Sequence, residues 1–449
     1  MNKPSQIILP EAFSRRSFLK TTSAMAGGAL LGALSPERAA HAAGGGDEIK
    51  IAMVGCGGRG SGACGQALST YPIGPVKLIA MADIHPDRLE SSLHNLQKTH
   101  AERVDVPKER QFLGFDAYKK AIELADVVIL STPPGFRPMM FEEAVKQGKN
   151  IFMEKPVATD AAGIRKVLAA AEEAKKKNLK VAVGLQRHHQ AGYIETIKRL
   201  QDGAIGDIVS MRAYWNGQRP WQKKRADLEK MYGRKLTEME YQLRNWYYFT
   251  WICGDHICEQ HIHNIDVINW LKKGHPVKAR AMGGREINHG GSDDGEIFDH
   301  FAVQYEYEDG SISFSEARHQ PGCWNSVSEH CVGTKGHADI SKFQIFANDP
   351  WRYKAEGAKD PYQQEHDDLF TAIRNNKEYN EAPYGATSTM TAILGRMAAY
   401  SGKEIEWDKA LASKIELLPE KFAFDAPTKV NPGPDGNYPR AIPGQTEVL

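Results

Sequence analysis

The run Val54-Gly55-Cys56-Gly57-Gly58-Arg59-Gly60 stands between an apolar strand pattern, Ile49 to Val54, and the start of a helical pattern. Gly55, Gly57 and Gly60 have the spacing of a dinucleotide fingerprint. The first glycine permits a tight turn, the second lets backbone approach a pyrophosphate, and the third lets helix pack on strand. The helix start, with Gly58 and Arg59 in its first turn, then aims unpaired N–H groups and a positive dipole end at phosphates. Glycine-rich turns are common, so context decides. Val76 to Met81 reads as a second buried strand and leads into Asp83. That carboxylate is placed to accept hydrogen bonds from an adenosine ribose diol and to repel a 2′-phosphate. NAD is therefore expected rather than NADP.

Upstream, Ser14-Arg15-Arg16-Ser17-Phe18-Leu19-Lys20 is a twin-arginine export motif. A mildly apolar stretch, Thr21 to Leu34, follows it, and Ala40-His41-Ala42 offers a small-residue cleavage site. The apolar part is too short to form a stable membrane anchor. Residues 1–42 are thus expected to be a leader read by the twin-arginine export machinery, and the mature protein to be periplasmic or otherwise exported. That route carries folded proteins, often with cofactor already bound. No nicotinamide pool waits outside the cytoplasm, so the cofactor should be tightly held and recycled on the enzyme.

The remaining ~400 residues suffice for two domains with real cores. Charge is nearly balanced, 57 Lys plus Arg against 56 Asp plus Glu, which argues against a nucleic-acid or acidic-membrane partner. The six cysteines fit neither a disulfide framework nor a paired zinc pattern, and they read as ordinary thiols.

From residue 47 to 184, apolar strand runs (Val127 to Leu130, Asn150 to Met153) alternate with helical patterns (Met139 to Gln147, Ile164 to Lys177). The alternation predicts an α/β domain with a doubly wound parallel sheet, whose ligands gather at the carboxyl ends of the strands. Asp83, Thr132 and Glu154-Lys155 all fall at such ends. Over 185–418 the character changes to aromatic-rich strands, including Ile208 to Trp215 and a hairpin from Phe298 to Arg318. This part is expected to be an α+β substrate domain on a large, mostly antiparallel sheet. Residues 419–449 are rich in Pro and Gly and are expected to wrap over the surface or a neighbouring subunit.

Glu154-Lys155-Pro156 ends the fifth strand, where a nicotinamide ring would lie. With the glycine loop and Asp83, the Thr132-Pro133 turn, Gly203-Ala204-Ile205-Gly206, His263-Asn264-Ile265-Asp266 and Gly333-Thr334-Lys335-Gly336, it makes the chain resemble the glucose–fructose oxidoreductase, inositol dehydrogenase and rhizopine-catabolism family (Gfo/Idh/MocA). The resemblance implies that Lys155 contacts the reacting hydroxyl and that an acid and a histidine four residues later complete the site. The histidine matches His263. The acid is usually Asp, and Glu259 stands there instead. Arg137 is a second departure, where many relatives have His. The resemblance also implies a homo-oligomer.

Elementary chemistry supports these roles independently. On one helix Glu259 and His263 would share a face, and a carboxylate beside an imidazole fixes its tautomer and raises its basicity. The imidazole would take an alcohol proton as hydride leaves carbon, and the Lys155 cation would stabilise the developing alkoxide. The cofactor is assigned to Gly55, Gly57, Gly58, Arg59, Gly60, Asp83, Thr132, Pro133, Glu154, Lys155 and Pro156. Arg187 and His188 follow the sixth strand, and His256, His261 and Trp251 flank His263. All five are expected to touch substrate. The histidine spacing matches no strong zinc signature, so no metal is assigned. Among the aromatics Trp215, Trp221, Trp246, Tyr247, Tyr248 and Trp251, about half are expected to be core. Glu365-His366-Asp367 opens a further helix that could reach the site.

The expected activity is hydride transfer between the hydroxyl-bearing carbon of a carbohydrate or polyol and tightly bound NAD. One alternative is a redox-neutral glycosidase, in which oxidation, elimination, hydration and re-reduction leave no net NADH. Another is a sugar-binding protein with a structural nucleotide, against which an intact Lys155 and His263 argue.

Overall fold

The computed structural model describes residues 48–287, 291–355, 357 and 359–449. The expected export leader, 1–42, lies outside the described residues.

The first sheet is built from β1 (Ile49–Val54), β2 (Val76–Asp83), β3 (Gln111–Leu113), β4 (Val127–Leu130), β5 (Asn150–Met153) and β6 (Val181–Val183). Its order is β3-β2-β1-β4-β5-β6, with every pairing parallel. Near-continuous apolar runs such as Val127–Leu130 suit strands covered on both faces. The covering helices are α1 (Gly58–Leu68), α2 (Pro86–His100), α3 (Ala117–Leu124), α4 (Arg137–Lys146) and α5 (Ala161–Lys176). The order reverses between β1 and β4, so the crevice at their carboxyl ends is the natural ligand position.

α6 (Ala191–Gln201) leads into the second sheet, which ends in the short strands β12 (Gly336–Asp339), β13 (Gln344–Ala347), β14 (Trp351–Arg352) and β15 (Ile405–Glu406), and whose order is β14-β13-β12-β11-β7-β10-β9-β8-β15. Its centre is β7 (Ile208–Gly217), β9 (His300–Glu306), β10 (Ile312–His319) and β11 (Ser326–Gly333). Among the described residues only β7 with β10 is parallel in this sheet; the other pairings are antiparallel. Alternate residues of β10 are buried, Ser313, Ser315 and Ala317, while Phe314 on the other face is 46% exposed. One face therefore packs inward and the other is open.

Between β7 and β8 (Lys278–Gly284) the chain forms α7 (Arg225–Tyr232), α8 (Glu238–Arg244), α9 (Thr250–Cys253), α10 (His256–Glu259) and α11 (Ile262–Lys272). Thr237 starts α8 with a capping box closed by Glu240. The chain then returns to the first domain. α12 (Pro361–Arg374) places Leu369 and Phe370 in the same buried cluster as Ile51, Met53 and Phe152. A single cut at 184/185 therefore separates the strands of the two sheets but leaves α12, which packs on the first, on the far side. α13 (Ala382–Ser401), apolar on most sides, is buried between α5, α11 and the inner face of the second sheet. The Pro/Gly-rich tail packs on its own chain: the Ser413 hydroxyl donates to the Val448 carbonyl at 3.2 Å, and Tyr438 is 4% exposed. Among the described residues no helix is long and apolar enough to cross a membrane.

Candidate active site

A cleft of about 550 Å³ runs along the carboxyl ends of β1, β2, β4 and β5, a size typical of small-molecule sites. At its floor Gly55 has φ +93°, and a Cβ there would sit 2.5 Å from the Thr132 nitrogen. A Cβ at Gly60 would sit 2.0 Å from the Gly55 carbonyl oxygen. Neither position admits another residue. By contrast, nothing among the described residues stands within 4 Å of a Cβ at Gly57 or Gly58, so the backbone there is open to the cleft. No side chain caps α1, and its first turn holds no acid. Its leading N–H groups and positive dipole end are thus left for an anion. Asp83 accepts hydrogen bonds from the Cys56 N–H at 2.6 Å and the His85 N–H at 2.8 Å. These bonds fix its carboxylate at the lip of the loop while lone pairs remain for a diol. The loop, helix end and carboxylate together fit a dinucleotide, with Asp83 marking the adenosine end. Thr132 and Pro133 form the facing wall.

Arg59 lines the cleft, but its guanidinium is engaged by Glu154, by Glu365 at 2.9 Å and by Gln66 at 3.2 Å, beneath the Tyr362 ring. The helix carrying Glu365 thus reaches the site through Arg59. Pro156, expected at the cofactor, does not line the cleft. Its carbonyl accepts from the fully buried Arg137, which also bonds the Thr132 carbonyl. Burial lowers the Arg137 guanidinium to about 10, so it stays charged near neutrality. This arginine ties the Thr132-Pro133 turn to Lys155-Pro156, whose peptide bond is cis.

At the other end of the cleft, Lys155 Nζ donates to the Glu259 backbone carbonyl at 2.5 Å and to its carboxylate at 3.1 Å. Burial raises the Glu259 carboxyl, and the Lys155 charge pulls it back. His263 is 8% exposed and lies nearly parallel to Trp215, with centroids 6.0 Å apart. Burial pushes its imidazole well below the usual range, and the charges of Lys155, Arg187 and Arg59 push the same way. The ring is therefore neutral near neutral pH, and its Nδ1 is buried with no hydrogen-bond partner among the described residues.

The expected single helix bearing Glu259 and His263 is not formed. α10 ends at Glu259, and α11 begins at Ile262. The carboxylate turns to Lys155 instead of orienting the imidazole. None of the five expected substrate residues lines the cleft. Arg187 pairs with the buried Glu329, which also accepts from Asn264 and from Tyr193 at 3.0 Å. His188 bonds Asp266 at 2.8 Å between the Trp270 and Tyr384 rings. His256 is sealed against His319 at 4.1 Å, and His261 bonds Ser315 at 2.6 Å. Trp251 donates to Gln242 at 2.7 Å and packs edge-on to Phe136. Proximity in sequence suggests the cleft for these groups, but short helices broken by turns carry His256 and His261 beneath the second sheet, while Arg187, His188 and Trp251 are taken up by buried partners. The cleft wall uses Trp215, Trp221, Trp246, Gln260 and Tyr362 instead. Gln260 follows Glu259 directly, and the three tryptophans belong to the aromatic bracket. Tyr362 comes from a helix remote in sequence and carries no local signal.

Residues 49–184 match a family model described as oxidoreductase family, NAD-binding Rossmann fold. Residues 193–339 match the GFO/IDH/MocA C-terminal domain, and the two models together cover more than half of the chain. The chain belongs to the Gfo/Idh/MocA oxidoreductase family. It is an NAD-binding enzyme of that family, and the glycine loop with Asp83 is where its cofactor fits. An inositol 2-dehydrogenase of Ralstonia nicotianae is 26% identical over 54% of this chain, and the match spans 60% of that relative's own length. A glycosyl hydrolase family 109 protein of Shewanella pealeana is 24% identical over 48% of each chain. Among solved structures, a levoglucosan dehydrogenase in complex with NADH and levoglucosan shares the fold with a TM-score of 0.62, 17% identity, and coverage of 80% of this chain and 99% of its own.

Proposed function

We propose that this chain is an exported oxidoreductase that interconverts a hydroxyl and a carbonyl on a carbohydrate or polyol, using tightly held NAD. One observation carries the reading: Lys155, anchored by Glu259, and the neutral His263 line the same end of a cleft whose other end fits a dinucleotide. NAD bound there supplies the hydride acceptor and donor. The chain's own residues handle the proton and the charge. His263, kept neutral by burial, is free to accept the hydroxyl proton at a ring nitrogen. The Lys155 ammonium faces the negative charge growing on the substrate oxygen. Glu259 holds that ammonium in one place, so no reorganisation is needed during the reaction. Trp215, beside His263, offers an apolar face to a sugar ring. The inositol and levoglucosan dehydrogenases among its relatives support a substrate of this class.

A redox-neutral glycosidase is the second reading. Trp221, 42% exposed in the cleft and edge-on to Trp246, gives a platform suited to an aglycone, and the Shewanella relative bears a glycosyl hydrolase name. Mass spectrometry of the native purified protein, then a screen of free sugars, polyols and glycosides, tests both. Bound NAD with NADH accumulation or transfer to a second sugar supports the oxidoreductase. Aglycone release without net NADH supports the glycosidase.

Export through the twin-arginine machinery, from the motif at Arg15-Arg16, belongs to the same proposal, since a retained cofactor suits a compartment without a nicotinamide pool. So does a homo-oligomer joined through the open sheet face at Met282, Phe314 and Val332.

A further inference from the structure

The adenosine end of the cleft is covered by elements outside the first sheet and its helices. Arg244, the last residue of α8, lines the cleft and reaches back to Asp87 at the start of α2. The contact is two-pronged, Nη1 to Oδ2 at 2.9 Å and Nη2 to Oδ1 at 2.7 Å, with the arginine side chain 9% exposed and the aspartate 55%. Both terminal nitrogens are thereby occupied. Nε remains buried without a partner among the described residues, and so does Nε2 of His85, which lines the same end. Two buried polar atoms beside Asp83 thus lack a hydrogen bond, a costly arrangement unless a ligand completes it.

The tail reinforces this cover. Phe424 packs on Phe115, a cleft-lining residue, at 5.1 Å, and its carbonyl accepts from the Thr237 hydroxyl at the start of α8. Further along, the Gln242 amide donates to the Val430 carbonyl at 2.7 Å, and the Tyr438 hydroxyl donates to Glu238. α8 and residues 424–438 are therefore laced into one body, fastened to the first domain at Asp87.

We propose that α8 and the C-terminal tail form a clasp over the adenosine end of NAD, latched by Arg244 and Asp87, with Arg244 Nε and His85 Nε2 as hydrogen-bonding groups for the cofactor. The clasp makes release, rather than the phosphate loop alone, the step that governs how long the cofactor stays. It deepens the retained-cofactor reading given above and rests on it. An arginine whose terminal nitrogens are committed to a carboxylate is also not free to fork onto a 2′-phosphate, in keeping with NAD.

The test uses full-length protein loaded with NADH and follows release into excess NAD by the loss of protein-bound nicotinamide fluorescence. Asp87→Ala removes the latch from its exposed side. Release should then be roughly fivefold to tenfold faster, the range between an exposed ion pair and a two-pronged, half-buried one. Wild-type release should accelerate with added salt, and the variant's should not. Asp87→Glu, which keeps a carboxylate for Arg244 and leaves its Nε in place, should keep release slow, and Phe424→Ala should speed it without changing the salt response. Unchanged, salt-insensitive release in Asp87→Ala overturns the clasp. Failure of wild-type protein to hold NADH at all overturns the cofactor reading itself, a distinct result.

Discussion

Lys155 Nζ lies 2.5 Å from the backbone carbonyl of Glu259 and 3.1 Å from its carboxylate, while Nδ1 of the nearby His263 has no partner among the described residues. The acid therefore serves the lysine and not the histidine. Glu259→Gln should loosen the ammonium and spare the imidazole. The backbone carbonyl still holds Lys155, so kcat should fall about tenfold, the scale of one charged hydrogen bond partly replaced. Steady-state kinetics with the best substrate check this, and the acid limb of the pH profile should stay where it is.

His263→Ala should lower turnover by about 10²–10⁴, the usual contribution of a positioned base, with NAD still bound. In the wild type the acid limb of kcat/KM should fall below the ordinary imidazole range, because burial and three nearby cations hold the ring neutral. Activity is lost as pH drops through that lowered value. The folded-state value lies below the unfolded one, so the unfolded chain takes the proton first. The group thus costs stability as pH falls beneath about 6.5. A pH–rate profile read beside thermal melts across the same range separates the two effects.

Much of this site is legible in the sequence because each signal is local. Gly55 and Gly60 are fixed by contacts no Cβ survives, and Asp83 ends a strand adjoining the loop. Glu154-Lys155 likewise follows directly from a buried strand. The segment from Trp251 to His263 misleads for the opposite reason. Its placement depends on where α9, α10 and α11 break, and helical periodicity across such breaks does not hold. His256 and His261 are consequently core residues beneath the second sheet, although they lie beside a cleft residue in sequence. Arg244 and Tyr362 reach the cleft from elements whose docking is set by distant packing, which no local pattern carries.

Asp83→Ala should relax discrimination between the two nicotinamide cofactors, since a carboxylate beside the ribose repels a 2′-phosphate. Binding titrations of both cofactors to apo-protein should show the wild type preferring NAD and the variant much less so. Tightly held NADP in wild-type protein would be inconsistent with the role given to this residue.

Replacing Arg15 and Arg16 with lysines should leave precursor inside the cell with its leader uncut. Immunoblots of cell fractions read this directly. Mature protein still found outside would remove the twin-arginine assignment.

The most direct measurement of the central claim is a single-turnover reduction of protein-bound NAD, followed by nicotinamide absorbance on rapid mixing with the polyol or sugar selected in the screen. Wild-type protein should give NADH in one burst matching its bound cofactor. Lys155→Ala should hold the same amount of NAD yet form NADH slower by about two orders of magnitude or more, as befits loss of one preorganised charge. The double variant with His263→Ala should be little worse than either single one, because both act on a single proton-coupled step. Near-normal NADH formation in Lys155→Ala, with its cofactor in place, would contradict the account.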